Sequence, residues 1–171
     1  MATYLFAFNP AIWNWPAMAT DIRRLARRGH LDTEWSCGRH RNIDPGSRAF
    51  LVRLGVAPKG IFGSGVTLTA PVTHRHWIAE KAAAGQTYNF VKLRLEGLFA
   101  LPLITFDELT APPFGRFRWG MRSSGTYLPE TIADALEDLW ETRVAEEMRR
   151  PTGLPLAPAE KTLHRGRKPT G

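Results

Sequence analysis

The run Glu34-Trp35-Ser36-Cys37-Gly38 sets an indole beside a hydroxyl, a thiol and a glycine. A large ring hemmed by small residues leaves room for a second flat group, so the chemistry suggested is recognition of a planar ligand by stacking and hydrogen bonding. Three other places supply comparable groups. Asn9 ends the first predicted strand, and its amide offers both a donor and an acceptor. Trp77 follows His74-Arg75-His76. Trp119 opens the segment Trp119-Gly120-Met121-Arg122-Ser123-Ser124-Gly125, in which Gly125 would let backbone approach a ligand. Plainer readings stand beside these: Trp35 as a core indole, Asn9 as a turn former, and Trp77 and Trp119 as caps on a sheet edge.

Cations accompany the aromatics. Arg39, His40 and Arg41 directly follow the Trp35 segment, and Arg116, Arg118 and Arg122 bracket Trp119. Guanidinium groups interleaved with aromatic rings suit a nucleotide, whose base stacks while its phosphates stay at the rim. The chain as a whole holds 23 Lys and Arg against 16 Asp and Glu, a formal charge of +7. Its pI of about 10.2 favours polyanionic partners. Arg23, Arg24, Arg27 and Arg28 either extend that basic surface or solvate one face of a helix.

Catalytic patterns are missing from the sequence. It has no Walker-type Gly-Lys-Ser, no paired Cys with His-x-Glu and no Gly-x-Ser-x-Gly elbow, since Gly63-Ser64-Gly65 falls inside a predicted strand. His74 and His76 alternate at strand spacing with no third ligand nearby, and Cys37 is the only cysteine. The expectation is therefore a binding domain rather than an enzyme, with no metal and no cofactor. No signal-peptide pattern opens the sequence and no long apolar run interrupts it, so the expected location is cytoplasmic, with no membrane partner.

The 171 residues fit one domain with a true core. Thr3-Tyr4-Leu5-Phe6-Ala7-Phe8 reads as a buried strand stopped by Asn9-Pro10. Apolar spacing predicts a short basic helix over 17–29 that stops at Gly29. Strands are predicted over 48–54, 60–69 and 89–99, a helical turn over 106–109, and a last helix from Pro129 to about Met148 with Ile132, Leu136, Leu139, Trp140 and Val144 on one stripe. Because the strands cluster instead of alternating with long helices, the expected fold class is α+β: a small curled β-barrel flanked by a few α-helices. Gly60, Gly63 and Gly65 share one strand, where they permit bends that close a barrel or a close approach to a ligand. Residues 1–149 form the expected domain. Residues 150–171, rich in Pro, Gly, Lys and Arg and without an aromatic, are expected to be a basic tail or linker.

Taken in order, Asn9-Pro10-x-x-Trp13, Trp35-Ser36-x-Gly38, Gly46-Ser47-Arg48-x-Phe50-Leu51, Gly60-Ile61-x-Gly63-x-Gly65, His76-Trp77, Asn89-Phe90-Val91 and Trp119 with Ser124-Gly125 resemble the EVE domain of the PUA-like superfamily. The chain is similar in particular to EVE-like domains found ahead of HNH nuclease domains in modification-dependent restriction endonucleases, and more distantly to YTH domains. The resemblance spans about residues 3 to 142 and departs from the pattern at Ser47 and Phe90. It implies a reader that flips a modified base out of double-stranded DNA, with 5-methylcytosine or 5-hydroxymethylcytosine as the ligand and an HNH nuclease domain beyond residue 171. Within it Trp35 corresponds to a cage wall, Asn9 to a contact on the base edge, and the segment from Trp119 to Ser124 and Gly125 to a pocket lining. The residues themselves add Ser36 as a hydrogen-bonding partner and Trp77 as a second wall. Three alternatives stay open: a YTH-like reader of N6-methyladenine in RNA, an enzyme acting on a small nucleotide-like metabolite, and a structural module whose six Trp are all core.

Overall fold

The computed structural model describes residues 1–151. The basic tail expected from residue 150 lies, from 152 onward, outside the described residues. Strands β1 (Thr3–Phe8), β2 (Leu31–Gly38), β3 (Arg48–Arg53), β4 (Gly60–Thr67), β5 (Val72–Arg75), β6 (Thr87–Leu98), β7 (Ile104–Thr105) and β8 (Thr126–Leu128) are joined by helices α1 (Met18–Arg28), α2 (Ala79–Ala83), α3 (Phe106–Leu109) and α4 (Glu130–Met148). The class is mixed α+β. Within the described residues the strands make one eight-stranded sheet in the order β2-β6-β4-β3-β1-β8, with β5 added to β6 and β7 to β4. β1 runs parallel to β3, and the other pairings among the described residues are antiparallel.

Both faces of the central strands are covered, which explains why β3 shows no polar alternation between its terminal arginines. Successive side chains of a strand point to opposite faces. Ala49 and Leu51 therefore join one core with Phe6, Phe8, Trp35, Leu93 and Leu95, while Phe50 and Val52 join another with Leu5, Ile61, Leu136 and Trp140. The first core is flanked by α1, which offers Met18, Ile22 and Leu25 as half-buried contacts and leaves its four arginines exposed. The second is closed by the apolar stripe of α4, where Trp140 meets Phe50 and Phe99 edge-on at 5.9 and 5.8 Å. Each such large side chain contributes about 1.5–3 kcal/mol by leaving water.

A charged clamp fixes α4 to the sheet. The Arg48 guanidinium donates to both Glu137 oxygens at 2.8 and 2.7 Å, and also to Glu96 and to the Gly65 carbonyl, each at 3.1 Å. The glycines of β4 serve the backbone rather than a ligand. The register of β4 against β6 shifts between Ser64 and Gly65, and a Cβ on Gly65 would lie 2.1 Å from the Arg94 carbonyl oxygen. Of the two roles foreseen for these residues, bending the strand is the one the structure uses at Gly65.

The ladder stays open between β1 and β2, and side chains span the gap. β1 pairs with β8 only from Thr3 to Leu5. Beyond that point the Trp35 indole Nε1–H donates to the Ala7 carbonyl at 3.0 Å, and the Ala7 N–H donates to Ser124 Oγ at 3.0 Å. β2, at the far end of the pairing order, is thus held against β1, which requires the sheet to curl around its first core.

Candidate functional site

The seam between β1 and β2 opens outward as a cavity of about 440 Å³, within the range of about 300–1,000 Å³ usual for small-molecule sites. Two aromatic groups contribute rings to its lining, Phe8, Trp13 and Trp35 from one and Trp77, Tyr88 and Phe90 from the other. In the first, Trp13 stacks on Trp15 (5.7 Å between centroids, 24° between planes) and meets Trp35 edge-on at 5.8 Å, with Phe8 against all three indoles. In the second, Trp77 stacks on His76 (5.7 Å, 24°), His76 meets Tyr88 at 5.9 Å, and Tyr88 meets Phe90 at 6.0 Å. Among the described residues no ring of one group meets a ring of the other, and the cavity lies between them. Trp13 and Trp77 remain 42% and 52% exposed, so part of each indole at the cavity is left uncovered by protein. Trp35 is only 5% exposed and its N–H is already spent on Ala7; it forms the floor.

Polar groups are few and placed at the rim. Ser124 Oγ accepts from Ala7 N and Ser36 Oγ accepts from Gly38 N at 3.3 Å, which leaves each hydroxyl its own proton to donate. The Asn9 amide oxygen accepts from Ala11 N–H at 3.0 Å, so this residue shapes the turn as well as lining the cavity. Glu34 supplies a carboxylate. Behind the floor, burial pushes the Cys37 thiol up to about 11, so it stays protonated at neutral pH.

The structure brings Asn9, Trp35, Ser36, Trp77 and Ser124 together in this one cavity. It does not bring Trp119 or Gly125. The Trp119 indole is buried in the second core, packed on Phe117 at 4.9 Å and Phe114 at 6.1 Å, with Nε1–H donated to the Phe114 carbonyl. Its ring is therefore a core ring, and of the segment it opens only Ser124 reaches the cavity. Gly125 (φ +84°) makes a close approach to protein rather than to ligand: a Cβ there would lie 3.0 Å from that of Cys37. Trp13, Tyr88, Phe90 and Glu34, with Ala7, Phe8 and Ile12, complete the lining without having been singled out from the sequence as ligand contacts. Tyr88 and Phe90 reach it because β6 pairs with β2 in the register Ser36↔Phe90, a relation between segments far apart in the chain.

A second groove of about 500 Å³ adjoins the first through Tyr88 and is lined by Arg39 and Arg41 together with the Gly85 turn. The turn carrying these arginines is tied to the sheet, since the His40 carbonyl accepts from Asn89 Nδ2 at 3.4 Å and from Cys37 Sγ at 3.6 Å. The His40 ring itself is exposed, and so is Arg122, two residues before Ser124. Arg116 and Arg118 are also exposed, but they flank Trp119 at the second core and do not line either groove. His74 packs on Phe90 at 4.6 Å, and His76 Nδ1 accepts from Ile78 N–H at 3.0 Å, so both imidazoles have structural partners. A larger cleft of about 750 Å³ lies between α4 and the start of β1; Glu96, Glu130, Asp134, Glu137 and Glu141 make it repellent to a polyanion.

No protein-family model and no curated protein matches this chain. Solved structures do resemble it in fold. A crystal structure of a Pseudomonas syringae protein has a TM-score of 0.58 at 15% identity, covering 81% of this chain and 99% of that one. An Agrobacterium tumefaciens protein gives 0.55 at 13% identity over 84% and 93% of the two chains. A hypothetical protein from Leishmania major gives 0.53 at 13% identity over 84% and 97%. At such identities the likeness is one of fold. Among the described residues no helix is long and apolar enough to cross a membrane.

Proposed function

We propose that this protein is a nucleic-acid-binding module that reads a modified base, of the 5-methylcytosine or 5-hydroxymethylcytosine kind, flipped from duplex DNA into the cavity at the β1–β2 seam. The observation that carries the reading is one cavity lined by rings from two separate aromatic groups, among them the part-exposed indoles of Trp13 and Trp77 and the buried indole of Trp35. Extruding a base costs a few kcal/mol of stacking and pairing. Stacking on protein aromatics returns about 1–3 kcal/mol per base, and a buried methyl adds on the order of 1 kcal/mol. The hydroxyls of Ser36 and Ser124 and the Asn9 amide supply hydrogen bonds to a base edge. Arg39 and Arg41, in the adjoining groove, suit the phosphates that remain outside. A sheet curled around an aromatic seam also accords with the EVE-like, PUA-like barrel that the sequence motifs resemble.

The test is fluorescence anisotropy at fixed salt on matched duplexes carrying cytosine, 5-methylcytosine, 5-hydroxymethylcytosine or N6-methyladenine, with single-stranded RNA as a fifth probe. The expected result is a preference of about tenfold or more for a modified cytosine, lost in Trp13→Ala and in Trp77→Ala while both variants stay folded. Preference for N6-methyladenine in RNA would replace this reading with the YTH-like one. Equal binding to all five probes, falling steeply with salt, would refute a base reader of any kind.

A further inference from the structure

We infer that Glu34 selects the class of base, admitting one with an exocyclic amine at its hydrogen-bonding edge, as in cytosine and adenine, over one with a carbonyl there, as in thymine and uracil. The inference rests on the base-reading function proposed above. Glu34 is the one charged side chain among the residues that line the cavity. It is exposed on the outer side of β2, and among the described residues it makes no hydrogen bond or ion pair. Its neighbour on the same face behaves differently: Asp32 is held by the Arg94 guanidinium through bonds of 2.7 and 2.8 Å. Lys92 stands opposite Glu34 in the β2–β6 register yet forms no ion pair with it among the described residues.

An open carboxylate at the mouth of a pocket opposes the approach of a polyanion, unless the ligand itself presents a donor there. An ionised carboxylate only accepts hydrogen bonds. The N4 amine of cytosine donates to it, and carboxylate-to-cytosine pairing of this kind is an established mode of base recognition. The O4 of thymine would instead set two acceptors face to face with no proton between them. The hydroxyls of Ser36, Ser124 and Tyr88 and the amide of Asn9 can each donate or accept, and the indole N–H groups of Trp13 and Trp77 only donate, so none of these side chains demands a donor from the base. Among the side chains that line the cavity Glu34 alone is restricted to accepting, whereas the aromatic walls read ring shape and methylation.

Binding to duplexes whose target base sits opposite an abasic site tests this, with 5-methylcytosine, thymine, cytosine and uracil as the four targets. Leaving every target unpaired equalises the cost of flipping. 5-Methylcytosine and thymine share ring shape and methyl group and differ at the edge Glu34 would read. The wild type is expected to favour 5-methylcytosine over thymine about tenfold or more, and Glu34→Gln, whose amide also donates, to bring the two within about threefold without changing the melting temperature. If Glu34→Gln keeps the wild-type ratio, or raises both affinities together, Glu34 acts only through charge and the inference is overturned. If the wild type favours the methylated member of each pair but not 5-methylcytosine over thymine, the reader stands and the role of Glu34 falls. Indifference to all four targets removes both.

Discussion

Replacing Trp35 with Ala probes the seam itself and should act on stability before it acts on binding. The indole is 5% exposed, sits among Phe8, Trp13 and Trp15, and makes the hydrogen bond that holds β2 to β1. Truncating a buried Trp to Ala costs about 3–5 kcal/mol in transfer and cavity terms. Removing the donor to the Ala7 carbonyl adds at most about 1 kcal/mol, because Ala7 is half-buried and water can reach that oxygen. A total near 4 kcal/mol corresponds to a urea midpoint lower by about 2 M, and to a melting temperature lower by about 8–16 °C for a domain of this size. Trp77→Ala is the control: at 52% exposure it should stay within about 0.5–1 kcal/mol of the wild type. Urea titration followed by far-ultraviolet circular dichroism reads both variants. A Trp35→Ala protein within about 1 kcal/mol of wild type, or a Trp77→Ala protein equally destabilised, would refute the assignment of Trp35 as floor and Trp77 as wall. Trp13 and Trp77, not Trp35, are therefore the residues whose replacement reports on ligand.

Arg39→Gln with Arg41→Gln should lower the slope of log affinity against log salt by about 0.9 for each phosphate of duplex DNA that the variant no longer neutralises, measured by anisotropy across a salt series. The ratio between modified and unmodified duplexes should hardly move, since phosphate contacts carry no base information. Gly125→Ala places a Cβ 3.0 Å from that of Cys37 at φ +84° and should cost about 1–3 kcal/mol, seen as a lower melting temperature by scanning calorimetry. Cys37, its thiol pushed up to about 11 by burial from an ordinary value of 9.0, should react slowly with a thiol reagent at pH 8 and quickly once urea unfolds the chain. The native thiol holds its proton where the unfolded one has lost it, so this group's contribution falls as pH rises from about 9 to about 11. A urea midpoint that does not decline across that window would contradict the burial of Cys37.

Local pattern was enough to place most elements of the fold. β-Branched and aromatic content marks β1, and apolar spacing marks α1 and α4. The alternation in β6 is legible because one face of its polar residues stays in water. These signals are periodicities of a few residues, so they survive in the sequence whatever the rest of the chain does. Pairing order and curl are another matter. Ala49 and Phe50 are equally apolar, yet they belong to different cores, and only the placement of α1 on one side and α4 on the other decides which.

The candidate site divides along the same line. Trp35, Ser36, Asn9, Trp77 and Ser124 stand out by residue type against their neighbours, and the structure gathers them at one cavity. Trp119 stands out equally in sequence but is drawn into the second core by Phe114 and Phe117, neighbours that no spacing rule distinguishes from a pocket wall. Glu34, Tyr88 and Phe90 look like ordinary strand residues until the antiparallel register of β2 with β6 sets Ser36 opposite Phe90. Residue chemistry was thus determined by the sequence alone. Which of those chemistries face one another was decided by long-range pairing and by which side of a twice-covered sheet each side chain takes, because a period of two fixes alternation but not direction.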